Sequence, residues 1–318
     1  MLALRVARGR HALPPITVPS VSGGIGALCQ HACNRLLCSK PADLEPSLAK
    51  LQAQLGLSMS EEKLQKIIHR LPSVVDLEVD PTLLGKLQKR LELSEVQLQK
   101  VVVSHPLVLG CSFEDDLEPT LAKLQARFKL LDSQLQKLVV AFPRVLSYNF
   151  DDALEPSLLR LQGLLGLSEM ELRKVVVALP AALYYNFETN LEPKLAQLQE
   201  WLGMSKVQLK QVVVKLPAVL GFSFEANLQP KLAFLEEELK LDRDDIRQRV
   251  LDFPKLLGVS LANRYRPRLL ACRAKGKSDP AETVLAHIKM TDESFYKSIG
   301  VVEWAQYLAP PDEPVATE

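Results

Sequence analysis

Two interleaved series of prolines constrain this chain more than any other feature. One runs Pro72, Pro106, Pro143, Pro180, Pro217, Pro254; the other runs Pro46, Pro81, Pro119, Pro156, Pro193, Pro230, Pro267. In their later steps both advance by 37 residues, with 24 from a second-series proline to the next first-series one and 13 on the return. The first return, from Pro72 to Pro81, is shorter, at 9 residues. A unit of this size cannot bury its apolar face alone, so copies must stack into a superhelix.

The copy from Leu154 to Tyr185 shows what one unit contains. Leu154-Glu155-Pro156 opens a first helix, here termed A, because proline fits the first helical turn, where its missing N–H has no partner anyway. Leu154, Leu158, Leu161 and Leu165 then form one apolar stripe, and Gly166 follows where a helix end calls for positive φ. A second helix, B, starts at Ser168 with the capping box Ser168/Glu171, repeated as Ser94/Gln97 and Ser205/Gln208. Leu172, Val175, Val176 and Leu179 make its stripe, and Pro180 ends it. Val177 and its equivalents Val103, Val140 and Val214 widen that apolar face, as expected of the inner helix of a solenoid. After each first-series proline, Leu109, Leu146, Leu183, Leu220 and Leu257 recur, then Phe113, Phe150, Phe187 and Phe224, which predicts a short third helical turn. The expected fold is all-α: an α-solenoid of six to seven repeats, each two helices plus that turn.

The ends differ from this body. Residues 1–42 hold Arg5, Arg8, Arg10, Arg35 and Lys40 and no acid, the composition of an organelle transit peptide; a plain unstructured leader is the alternative. The repeat array is expected over 43–277, a capping segment over 278–302, and an acidic, Pro-containing, disordered tail over 303–318. Cys29, His31, Cys33 and Cys38 lack paired metal-ligand spacing and read as scattered leader residues, so no metal and no cofactor is expected. Five cysteines without regular spacing make no disulfide framework. No apolar run is long enough to span a membrane.

Here a family resemblance becomes specific. The copy PAVLGFSFEANLQPKLAFLEEELKL (Pro217 to Leu241) is similar to the repeat of the mTERF, or mitochondrial transcription termination factor, family. PKLLGVSLANRYRPRLLACRAKG (Pro254 to Gly276) resembles its terminal repeat, and the segment around Met290-Thr291-Asp292-Glu293-Ser294-Phe295 resembles its C-terminal cap. The resemblance covers about residues 43–300. It implies a soluble protein of the mitochondrion or chloroplast that binds organellar DNA or RNA in the superhelix groove. The roles it implies are transcription termination or regulation, RNA processing, or ribosome assembly. Transcription or ribosome-assembly proteins are the further partners, and a monomer is expected.

Phosphate binding needs Lys and Arg along a track. The full chain carries a net charge of +1, but the part after residue 42 has 34 basic against 38 acidic residues, so any track must be local. Two candidates stand out. From Arg243 to Lys277 basic residues outnumber acids, and Arg247, Arg249, Lys255, Arg264, Arg266, Arg268, Arg273, Lys275 and Lys277 are nominated, with Tyr265 as a base-stacking ring inside the acid-free run. The second is a column of Lys66, Lys100, Lys137 and Lys174, each six residues before a first-series proline and opposite the apolar stripe of its helix; Gln211 and Gln248 replace it later. The competing reading is a protein-binding scaffold, favoured by the mildly acidic body. An enzyme is not expected: no phosphate-binding Gly loop, HExxH or nucleophile elbow occurs, and His69 and His105 are placed for the helix dipole.

Overall fold

The structure, a computed structural model, describes residues 44–308. Among them there are fifteen α-helices and no strand. The A helices are α1 (Leu44–Leu55), α3 (Leu83–Leu91), α5 (Glu118–Phe128), α7 (Glu155–Leu165), α9 (Glu192–Leu202), α11 (Gln229–Glu237) and α13 (Arg266–Ala274). The B helices are α2 (Glu61–Arg70), α4 (Glu95–Ser104), α6 (Asp132–Ala141), α8 (Glu169–Ala178), α10 (Lys206–Lys215) and α12 (Arg243–Asp252). Helices α14 (Pro280–Ala286) and α15 (Asp292–Ser298) close the end. The solenoid is thus six A/B pairs, a final A helix and a cap. The leader, with Cys29, His31, Cys33 and Cys38, and the last ten residues lie outside the described region.

Local chemistry sets each boundary. The serines of all three capping boxes accept from the third residue of their helix while its Gln or Glu accepts from the serine N–H. At α6 the capping residue is Leu131, which has no oxygen to offer, yet Gln134 still accepts from the Leu131 N–H at 3.1 Å. Gly166 and Gly203 leave the A helices at φ 61° and 60°. Glu92 and Lys129 take the same left-handed turn at 51° and 49°, where a Cβ costs about 1–2 kcal/mol.

The third piece of the unit divides in two. A 3-10 turn follows each first-series proline, as in Pro143–Ser147 and Pro180–Tyr184. Then a single π turn, such as Phe113–Leu117 or Phe150–Leu154, runs straight into the next A helix. Proline explains the wide turn. Pro119 has no N–H for the carbonyl four residues back, so the preceding turn closes with bonds of i to i−5, such as Leu117 N–H to Ser112 O at 3.1 Å. The shorter first return has no π turn. Leu109, Leu146, Leu183, Leu220 and Leu257 are all buried, and with Leu158, Leu161, Val175 and Val176 they belong to one core running the length of the array. Each is worth about 2 kcal/mol of removed apolar surface.

Successive B helices pack directly on one another through most of the array, while A helices reach across to the B helix of the following repeat. The B layer is therefore the one in which successive repeats meet directly, and it is here termed the inner layer. The tail boundary needs correcting. Trp304 stacks on Tyr296 at 5.2 Å and Tyr307 lies parallel to it at 6.4 Å, so residues 303–308 belong to the cap. The reason is aromatic packing, which the acidic composition of the last residues conceals.

Candidate nucleic-acid interface

On the outer side, cations of one A helix meet acids at the start of the next. Lys86 pairs with Glu114 at 2.5 Å, Lys123 with Asp151, and Arg160 with Glu188 at 2.5 Å. One turn further along, Arg90 grips Glu118 at 2.8 Å, and Arg127 grips Glu155 at 3.1 Å together with Glu169. The partners in these rungs are mostly 28 residues apart. The ladder neutralises these five cations with six of the 38 acids of the chain. Phosphate there would have to displace bound carboxylates.

The C-terminal cluster does not form a track. Arg268 is the clearest correction: its side chain is 0% exposed. Its guanidinium donates to Asp292 at 2.7 Å, to His287 O at 3.0 Å and to Met290 O at 2.8 Å, and lies 4.4 Å from the Phe295 ring centre. Burial pulls its pKa below the ordinary arginine range. It holds the cap and meets no solvent, so it cannot grip phosphate. Arg264 shares Asp292 at 3.3 Å, Arg249 pairs with Glu282 at 2.7 Å, and Arg273 with Glu238 at 3.1 Å. Arg247 pairs with Asp244 at 2.9 Å and donates to Leu202 O, closing the end of α9. Tyr265 is buried, its hydroxyl donating to Leu256 O at 3.1 Å, so it offers no face to a base. Among the described residues Lys255, Arg266, Lys275 and Lys277 make no ion pair. Arg266 begins α13 while Lys275 and Lys277 follow its end, about 13 Å along the axis. The acids that neutralise Arg249, Arg264, Arg268 and Arg273 stand 24 to 35 residues away in the chain, which is why the local run looked uncompensated.

The lysine column fares better. Lys100, Lys137 and Lys174 are exposed on the inner B layer, each opposite its buried stripe of Leu and Val. None of the three has an ion pair among the described residues; Lys66 pairs with Glu62 at 2.7 Å. The acids of these helices sit in their first turns, engaged in caps and in the outer ladder. The second half of each B helix is left cationic.

Sequence reasoning passed over Arg144. It stands one residue after Pro143, with its guanidinium 3.8 Å over the ring centre of Tyr184, and Tyr148 lies 5.7 Å from Tyr184. Tyr184 is 41% exposed. This places an exposed Arg–Tyr stack at the carboxyl ends of the same B helices. The available signal was that Arg144 and Lys255 alone among the residues following first-series prolines are charged.

His105 is corrected too. It is buried and hydrogen-bonds Ser147 Oγ of the next repeat. Burial, then Arg144 and Arg70, push its pKa down from 6.5 to about 4, so it is neutral and does not serve the helix dipole. No group of His, Cys, Asp and Glu suited to a metal occurs among the described residues, and none of their helices is long and apolar enough to cross a membrane.

The mTERF family model matches the chain over residues 56–201 and again over 128–296. No curated protein matches the chain significantly.

Proposed function

The chain belongs to the mTERF family, and from that premise we propose that it is an organellar factor that regulates gene expression by binding nucleic acid along the inner B layer. One observation carries the reading: the cations of the outer ladder are bound to carboxylates, whereas Lys100, Lys137 and Lys174 stand without an ion pair among the described residues, in register on the inner layer. Neighbouring packed helices lie about 8–10 Å apart, so the column offers one ammonium per repeat to a phosphate backbone. The action belongs to transcription termination or regulation, RNA processing or ribosome assembly in a mitochondrion or chloroplast. Residues 1–42, with their acid-free basic composition, serve as the import signal.

Binding of the full chain to labelled duplex DNA and to RNA across a salt series tests this. Replacing Lys100, Lys137 and Lys174 together by Gln should lower the slope of log affinity against log salt by about 2–3. Replacing Arg266, Lys275 and Lys277 by Gln should change it less. Undetectable binding to every nucleic acid at low salt would overturn the reading and leave the protein-scaffold alternative in its place.

A further inference from the structure

Each central B helix sets three positions, spaced i, i+4 and i+7, opposite its own buried stripe of Leu and Val. They are Val96, Lys100 and Val103 in α4; Ser133, Lys137 and Val140 in α6; Met170, Lys174 and Val177 in α8; Val207, Gln211 and Val214 in α10. Val96, Met170 and Val207 are 72%, 71% and 61% exposed, and the valines at the third position are half-buried against the core. The lysine column therefore runs between two aliphatic rows, broken only at Ser133. The pattern stops at both ends, where α2 presents Glu62 and α12 presents Asp244 at the first position.

Single exposed apolar side chains are ordinary, but the same register on three of four consecutive helices makes a shared surface. A duplex meets a protein with phosphate and sugar and keeps its base faces stacked inside. Aliphatic rows beside its backbone would lose water without gaining contact. An unpaired strand carries phosphates along one edge and free base faces along the other. Residues at i and i+4 of a helix lie about 5–6 Å apart, which sets an ammonium and an aliphatic side chain side by side in α4 and α8, while Ser133 stands beside Lys137 in α6 and Gln211 beside Val207 in α10. Met170 adds a polarisable sulfur, which favours aromatic faces.

We propose that the inner face of α4, α6, α8 and α10 is built for an unpaired nucleic-acid strand in preference to a duplex. The lysines take the phosphates, and the row of Val96, Met170 and Val207 takes base faces and sugars. Aliphatic contact does not read base edges, so this preference is tolerant of sequence. The inference rests on the nucleic-acid reading above.

The test is fluorescence anisotropy with the full chain, using a 20-nucleotide mixed-sequence RNA, the DNA of the same sequence, and the duplex of each, at one salt concentration. Both single strands should bind at least about tenfold more tightly than either duplex, and the difference between RNA and DNA strands shows which sugar is preferred. The triple variant V96S/M170S/V207S, all at exposed positions and checked for helicity by circular dichroism, should lose most of that preference. Its salt slope should match that of the unaltered protein. Duplexes binding as tightly as strands, or strand affinity indifferent to the triple variant, would sink the inference; a salt slope that still falls with the Lys→Gln variant would then leave the nucleic-acid reading standing. Absence of binding to all four probes would remove that reading and this inference with it.

Discussion

From α3 to α8, the cations that join one repeat to the next lie on the surface. Lys86, Arg90, Lys123, Arg127 and Arg160 each reach an acid of the following repeat, and the position after each second-series proline is a small hydroxyl residue: Thr82, Thr120 or Ser157. From α9 onward the arrangement inverts. Gln197 and Trp201 replace the ladder cations, and the position after the proline becomes Lys194, Lys231 and finally Arg268, all buried. Lys231 donates to Leu257 O and Asn227 Oδ1, both at 2.8 Å, and lies 5.1 Å from the Phe222 ring centre; Lys194 does the same with Leu220 O, Asn190 and Tyr185. Burial lowers the pKa of both lysines. Thr120 makes a neutral link from the same position, its hydroxyl donating to Tyr148 O at 3.0 Å, two residues further along the unit than the carbonyls the lysines reach. One position thus ties to the next repeat by a hydroxyl at Thr120 and by an ammonium at Lys194 and Lys231. The inner lysine column runs opposite, present from α2 to α8 and replaced by Gln in α10 and α12. The number of basic residues in a stretch therefore says little about where a phosphate can bind.

Breaking the buried end of this comparison should have the largest effect. Arg268→Leu leaves two carbonyls without their donor and Asp292 with Arg264 alone, at a cost of about 3–5 kcal/mol. Hydrogen exchange should show residues 280–308 losing protection while the earlier repeats keep theirs; unchanged protection of the cap would refute this role for Arg268. Next comes acid. Because the folded pKa of His105 is depressed from 6.5 to about 4, its contribution is present above pH 6.5 and is lost as pH falls through that window. The expected loss approaches about 3 kcal/mol, centred on α4 and α6, and His105→Gln should flatten the pH dependence measured by exchange or by thermal unfolding. The smallest effect belongs to the outer ladder. Arg127→Ala should cost about 1 kcal/mol at low salt and less at 1 M salt, because exposed pairs are screened. The stability change from Lys231→Met should hardly respond to salt. Equal salt responses of the two variants would erase the distinction between the halves.

The repeat architecture was legible because its signals are local and copied. Proline period, capping serines, the Leu stripes and the Leu–Phe spacing of the third piece each act within one or two helical turns, and each appears in the structure where the spacing puts it. The π turn was not legible, since it follows from how the missing proline donor is accommodated against the next helix. The inner lysines were found because an exposed position is defined by its own helix: Lys174 lies opposite Leu172, Val175 and Val176 whatever surrounds them. The C-terminal arginines were misread because their state depends on Asp292, Glu282 and Glu238, which the fold brings to them from other helices. Arg144 and Tyr184, 40 residues apart, meet only when repeats stack.

What the sequence by itself determined is the periodic part: an all-α solenoid, its unit, its helix boundaries and which side chains of each helix face away from the core. Periodicity and capping are short-range effects that survive in any stacking. What the tertiary structure alone decided is which cations are free. A charge is free or neutralised according to partners within about 4 Å, and in a solenoid those partners come from the next repeat, nearly thirty residues on, or from the cap.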